Sequence, residues 1–401
     1  MISAKSKMLF ILTFLAALLL PGAHGTESGN RPSPRFGHRM VYDPVNERTL
    51  LFGGAVFEGV YTYFDDLWAY DYASNTWTEI DCGPGPSGRF NFMMVYVPGV
   101  HGLFLFGGYS ARNQISDTWL YDIEGNAWTE LDPPDSPSPR SDSAIVYDAE
   151  NGVVILHDGY CQDSSHPGEV WVYDFGVGNW AQMDPDDGPL PQYGHHMVYD
   201  SLNGRVVMYG GHWSIQSPRS HGYSDGVWVY DYPTDSWTKV DEAASLPPRY
   251  WHQMAFDGER GKMIVFSGSM GDESRRDDTW LLDTDEFTWE RLQSDESPEA
   301  RENSAMAYDA AHQRVILFGG LSSFDEPPLG DLWILDPVDG TWEERGAEAI
   351  EADEGQEEAT GTGIPGFPAA SLALGLLASM ALFSMAAYSR RRWSPRAAQQ
   401  P

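Results

Sequence analysis

Short apolar runs of four to seven residues, rich in Val, Ile, Tyr, Phe and Trp, recur through residues 35–345 and are separated by polar turn-forming stretches. They come in sets of four. HRMVYD, TLLFGG, DLWAYD and TWTEI form the first set, FMMVYV, LFLFGG, DTWLYD and AWTEL the second, and HHMVYD, RVVMYGG, GVWVYD and SWTKV the fourth. Length and composition mark each run as a β-strand. The third run is apolar on both faces, with Trp68 and Tyr70 on one side and Leu67 and Ala69 on the other. A sheet with one wet face would alternate apolar with polar, so these strands are expected to be covered on both faces. Four-stranded sheets stacked on copies of themselves describe blades around a central axis.

The repeat is fixed by tryptophan. Trp68/Trp77, Trp119/Trp128, Trp171/Trp180, Trp228/Trp237, Trp280/Trp289 and Trp333/Trp342 are each nine positions apart, and only Trp213, Trp251 and Trp393 fall outside these pairs. Such self-similarity is the mark of a repeat architecture, and the paired tryptophans read as scaffold on neighbouring strands. Between Asp71 and Trp77, and at the matching places after Asp122, Asp174, Asp231, Asp283 and Asp336, turn formers predict a tight hairpin between the third and fourth strands. Glycine pairs close the second strand at Gly53–Gly54, Gly107–Gly108, Gly210–Gly211 and Gly319–Gly320. The third unit reads LHDGYC there, and the fifth reads FSGS. Proline-rich stretches such as CGPGPSGR, PPDSPSPR and PDDGPLPQ join the units, whose bounds are about 35–81, 82–132, 133–184, 185–241, 242–293 and 294–345.

This pattern resembles the kelch repeat: an Arg or His at the head of the first strand, a double glycine, and a spaced tryptophan. The head residues are Arg35/His38, Arg89, Arg140, His195, Arg249/His252 and Arg301. The resemblance implies an all-β, six-bladed β-propeller with four antiparallel strands per blade. Each unit runs from first to fourth strand, so the ring is expected to close without a borrowed strand, with a degenerate seventh blade left open.

In such a ring the second-to-third loops and the inter-blade linkers share one face, and variable loops on a rigid scaffold are where binding concentrates. The longest, HWSIQSPRSHGYSDG, holds His212, Trp213, Arg219, His221 and Tyr223. Tyr250 and Trp251 lie in the linker beside it, and the first unit adds Phe57, Tyr61, Tyr63 and Phe64. These rings either form a binding platform for a sugar or a protein, or seal the loops onto the ring. Cys82 and Cys161 fall on the same face; in an exported chain they are candidates for one disulfide across the second unit.

Galactose oxidase carries kelch-type repeats, so an extracellular enzyme, whether a copper oxidase or a carbohydrate-active one, is the alternative to a binding module. HDGYC does not match that family's ligand positions, and no copper ligand is carried over. His38, His195 and His252 head first strands, where three imidazoles gather only if the ring brings them together. No cofactor, metal or catalytic residue is expected. A purely architectural spacer is the third reading.

The ends and the charge place the ring. Residues 1–25 have Lys5 and Lys7, an apolar run and a small-residue stretch, the layout of a signal peptide rather than a first anchor. Residues 26–34 lead in, and 346–364 read as an acidic solvated stalk. Residues 368–388 carry no charge and are long enough to cross a bilayer; Arg390, Arg391 and Arg392 follow, then a cytoplasmic tail, 393–401. With Pro365, Gly366 and Phe367 this segment resembles the PGF-type C-terminal sorting signal of archaeal surface proteins, which implies a sorting peptidase and a lipid anchor. Unprocessed, it is a transmembrane helix. The full chain of 401 residues has a net charge of −34. All 59 acidic residues but only 19 of the 25 basic ones lie in 26–367, because Lys5, Lys7, Arg390, Arg391, Arg392 and Arg396 fall outside it. A surface this acidic repels nucleic acid and stays soluble in salt. It fits either a salt-adapted organism or a cation store. The expected partner is an extracellular glycan or surface protein, met on the outside of the cell by a membrane-anchored chain.

Overall fold

A computed structural model of the chain describes residues 31–111, 113–161, 167–215, 220–240, 246–270 and 274–346. The leader, all but the first residue of the stalk, the Pro365–Gly366–Phe367 motif, the apolar span, Arg390–Arg392 and Arg219 lie outside the described residues. Among the described residues no helix is long and apolar enough to cross a membrane.

The fold is all-β. Six four-stranded antiparallel sheets follow one another, beginning with Arg39–Asp43, Arg48–Phe52, Leu67–Asp71 and Thr76–Ile80, and ending with Ala305–Asp309, Arg314–Gly320, Leu329–Asp336 and Thr341–Glu344. In every sheet the strands pair in chain order. The first strands (Arg39–Asp43, Met93–Val97, Ala144–Asp148, His196–Asp200, Gln253–Asp257 and Ala305–Asp309) lie beside one another, and the last returns to the first. The second strands are buried almost end to end because they are sandwiched between neighbouring sheets.

One side chain from each unit drives that stacking. The fourth-strand tryptophan packs on the second-strand residue just before the double-glycine position of the preceding unit: Trp128 on Phe52, Trp180 on Phe106, Trp237 on His157, Trp289 on Tyr209 and Trp342 on Phe266. Trp77 completes the cycle on Phe318, with ring centroids 5.4 Å apart. Within its own sheet the same tryptophan stands in register with a third-strand tyrosine in the first four units, as Tyr70 meets Trp77 at 5.0 Å, and with Leu282 and Leu335 in the last two. Burying these rings between sheets adds an apolar contact to every unit of the repeat.

The double glycine divides into two roles. The first position tolerates a side chain: Asp158 and Ser267 occupy it at φ 47° and 62°. The second is glycine in all six units, at φ near 100°. A Cβ on Gly54 would lie 2.9 Å from the Cβ of His38 and 3.1 Å from the carbonyl of Phe36. The lapses in the third and fifth units therefore leave the backbone unchanged.

Cys82 and Cys161 do not form the expected disulfide; both thiols are free. Cys82 follows the fourth, outermost strand of the first sheet and packs in the cluster that contains Trp128. Cys161 pairs with Arg140 in a small inner two-stranded sheet, its Sγ 3.6 Å from the Ser138 hydroxyl. Sharing a face did not bring them together, because they sit at different radii of the ring.

Candidate functional site

Each linker enters its unit through a buried residue at the head, followed by one that pairs with the second-to-third loop. The heads Arg35, Arg89, Arg249 and Arg301 grip Asp66, Asp117, Asp278 and Asp331 through both guanidinium nitrogens, and Arg140 grips Glu169. The same carboxylates accept the indole N–H of Trp68, Trp119, Trp280, Trp333 and Trp171. In the fourth unit Gln192 replaces the arginine, and Gly226 stands two residues before Trp228 where the others have the acid. Both partners are lost together, which leaves no buried charge stranded.

Loop and linker then pair. Phe36 bridges Ala55, Phe90 bridges Tyr109, Tyr250 bridges Ser269 and Glu302 bridges Leu321. Arg140–Ser141 pairs with Tyr160–Cys161, and Gln192–Tyr193 pairs with the hairpin His212–Ile215/Ser220–Tyr223. The segments expected as loops are thus partly short sheets.

The next residue of each linker reaches the axis. Gly37, Asn91, Asp142, Gly194, Trp251 and Asn303 all have positive φ, between 51° and 66°. Their backbones form a closed cycle. Asn91 N–H donates to Gly37, Asp142 to Asn91, Gly194 to Asp142, Trp251 to Gly194, Asn303 to Trp251 and Gly37 to Asn303, at 2.8–3.2 Å. Gly, Asn and Asp are the residues that tolerate this conformation, whereas a tryptophan there is a strained outlier. Strain of that kind persists at sites where the side chain is needed.

Above this ring lies an open bowl of about 390 Å³. One wall stacks Tyr61, Tyr63 and Phe90, with Tyr61 and Phe90 within 6° of parallel at 6.1 Å and Phe36 and Tyr109 edge-on or tilted against Phe90. The opposite wall joins Tyr160, Tyr193 and Trp251, backed by Tyr250, His212 and Tyr223. The floor is polar. Asp142 Oδ1 accepts from Asn91 Nδ2 at 2.7 Å and from Trp251 Nε1 at 2.8 Å, and Oδ2 accepts from the Ser141 hydroxyl at 2.8 Å. Burial pushes the Asp142 carboxyl above its ordinary range, opposed by those hydrogen bonds and by the Arg39 guanidinium beneath the floor.

Of the residues singled out in the sequence, Phe57, Tyr61 and Trp251 line the bowl, while Tyr63, Tyr223, Tyr250 and His212 support its walls. Trp213 does not line it; its ring lies over Gly222 of its own hairpin. His221 is exposed on the same hairpin. Sequence reasoning missed Phe90, Asp142, Tyr193 and the floor asparagines Asn91 and Asn303. The signal was present: two residues past each head position, Gly, Asn or Asp recurs five times and Trp251 breaks the series.

The three head imidazoles do not gather. His38 packs on Phe318, His252 on Tyr209 and His195 on His157, each in a different cleft between sheets. Among the described residues no group of three or more His, Cys, Asp or Glu is placed to hold a metal ion.

The chain is 30% identical over 292 residues to an F-box/kelch-repeat protein of Arabidopsis thaliana, covering 66% of this chain and 57% of that protein. It is 26% identical to multiple epidermal growth factor-like domains protein 8 of Mus musculus over 68% of this chain and 10% of the relative. It is 24% identical to the flagellar outer arm dynein alpha chain of Chlamydomonas reinhardtii over 76% and 7%. This chain therefore spans little more than half the length of the plant relative and a tenth or less of the other two. The KLHDC2/KLHL20/DRC7 kelch-repeats domain matches residues 24–211 and 201–352. With its six concordant units and β-propeller-type fold, the chain belongs to that kelch-repeat family.

Proposed function

We propose that the chain is a protein-interaction module whose partner docks in the aromatic bowl, carried on a six-bladed propeller that closes without a borrowed strand. The observation behind this reading is an open, ring-walled cavity with a strained tryptophan held on its floor. Kelch repeats are in general protein-interaction modules. Phe57, Tyr61 and Phe324 remain 45%, 41% and 68% exposed around the rim, the kind of aromatic surface that anchors a partner. A glycan is the other ligand class the rings would suit. The leader pattern of residues 1–25 and the Pro365–Arg392 segment support export and tethering outside the cell, by a lipid after processing or by a retained helix.

The test is site-specific photo-crosslinking in native cells, with the probe at Tyr61 on the rim or at Val177, which is exposed in a third-to-fourth turn on the opposite face. The same protein crosslinked from Tyr61 and absent from Val177 supports the assignment. Equal crosslinking from both positions, or none from Tyr61, removes the bowl as the docking site. Protease shaving of intact cells tests the tether, since an anchored external ring is released and an internal one is protected.

A further inference from the structure

We propose, resting on the bowl as docking site, that its occupant is a basic side chain of the partner protein, an arginine or lysine inserted between the two aromatic walls. The charge is one-sided. The ionisable acids that line the bowl are Asp142 and Glu326, and among the described residues no Lys, Arg or His lines it. The nearby Arg275 is already committed: it pairs with Glu302 at 2.8 Å and lies over the Phe324 ring. Arg39 lies below the floor.

The floor offers acceptors. Asn91 spends its amide N–H on Asp142, which fixes the amide orientation and leaves Oδ1 buried without a donor. Asp142 places its carboxyl group in the same floor, held there by Asn91, Trp251 and Ser141. An acceptor buried without a partner is costly, and a donor-rich cation satisfies it. The walls supply ring faces of the kind that attract a cation, Phe90 and Tyr61 in one wall and Tyr193 and Trp251 in the other. An acidic or C-terminal carboxylate ligand meets none of these groups favourably. The net charge of −34 steers a basic segment toward the ring before it docks.

The test uses the full chain and two capped pentapeptides, acetyl-Gly-Gly-Arg-Gly-Gly-amide and the same peptide with citrulline, which keeps the shape and removes the charge. Binding is read by Trp fluorescence and calorimetry on wild type, Asp142→Asn, Phe90→Leu and the remote surface control Glu124→Gln. Asparagine suits the left-handed backbone at position 142, and thermal melts verify that each variant is folded. Saturable binding of the arginine peptide, about tenfold or more weaker for citrulline and about fivefold or more weaker in Asp142→Asn and Phe90→Leu, is expected. Equal binding of the two peptides, an unchanged affinity in Asp142→Asn, or no saturable binding at millimolar peptide overturns the proposal. Crosslinking from Tyr61 in the same variants separates the two readings. A partner still captured from the rim while the peptides fail rejects only the cationic occupant; loss of rim-specific capture in wild type rejects the docking site itself.

Discussion

The indole N–H of Trp251 donates to Asp142 at 2.8 Å across 109 residues of chain, tying the linker of the fifth unit to that of the third. The bond explains why a bulky residue holds a left-handed backbone at a place where the other units use Gly, Asn or Asp. Trp251→Phe keeps most of the ring and deletes the donor. It should destabilise the fold by about 1–2 kcal/mol in urea unfolding. It should also raise the Asp142 carboxyl further, because one of the bonds favouring the ionised form is gone. An unchanged carboxyl titration by NMR would show that the bond is not made in solution.

The fourth unit offers a designed-in control for the buried arginine clamp. Gln192→Arg alone buries a guanidinium with no acid opposite and should cost about 3 kcal/mol or more. Gly226 is not among the positive-φ glycines, and a Cβ there would sit 3.2 Å from Trp228 Nε1, on the side from which Asp66 meets Trp68 in the first unit. Adding Gly226→Asp should therefore recover about 1–3 kcal/mol as a coupling term in a double-mutant cycle. Strict additivity of the two changes would refute the clamp as a paired device.

Most of the scaffold was legible because its determinants are local and repeated six times. Strand runs, Asp-led turns and tryptophan spacing each leave a short-range mark, and Trp68 and Trp77 do lie on neighbouring strands of one sheet. The bowl was only half legible. Trp251 stood out as a tryptophan outside the pairs, yet its partner Asp142 comes from a linker two units away, and no local rule links them. Trp213 stood out in the same way and covers a hairpin instead, since composition does not reveal which way a loop ring turns. The disulfide failed for a related reason: the topology fixes the face of a residue, and its radius depends on which strand of the blade it follows.

The free thiols make a direct check. Alkylation in denaturant without any reductant should modify both Cys82 and Cys161. In the native state Cys161 should be protected by burial in its short inner sheet, and Cys82 should react slowly because burial pushes its thiol above the ordinary range. A mass showing no alkylation until reductant is added would restore the disulfide.

Acid should weaken the ring, and its buried imidazoles are the reason. His38, His157, His195, His196 and His252 all have their pKa lowered chiefly by burial, His195 and His196 to about 3. For such groups the unfolded chain binds protons below about pH 6.5 that the folded chain refuses, so stability is full above that pH and is lost as pH falls. Three acids act the other way. Burial raises Asp158 to about 7, so it favours the folded state as pH falls from about 7 toward 4, and burial also raises Asp142 and Glu302, which act in the same direction above the ordinary carboxylate range. Five imidazoles outnumber three carboxyls, and the net slope between pH 6.5 and 5 should be destabilising. His157 is the informative position. Its Nδ1 lies 2.9 Å from His195 Nε2, and Phe52, Phe106, Phe266 and Phe318 stand at the same place in four other units. His157→Phe keeps the contact with Trp237 and removes one imidazole that must stay neutral. The pH slope of its urea-derived stability should be shallower than wild type by up to about 1.4 kcal/mol per pH unit. A parallel slope would mean that His157 accepts its proton without unfolding, and the acid lability would then have to come from the remaining four.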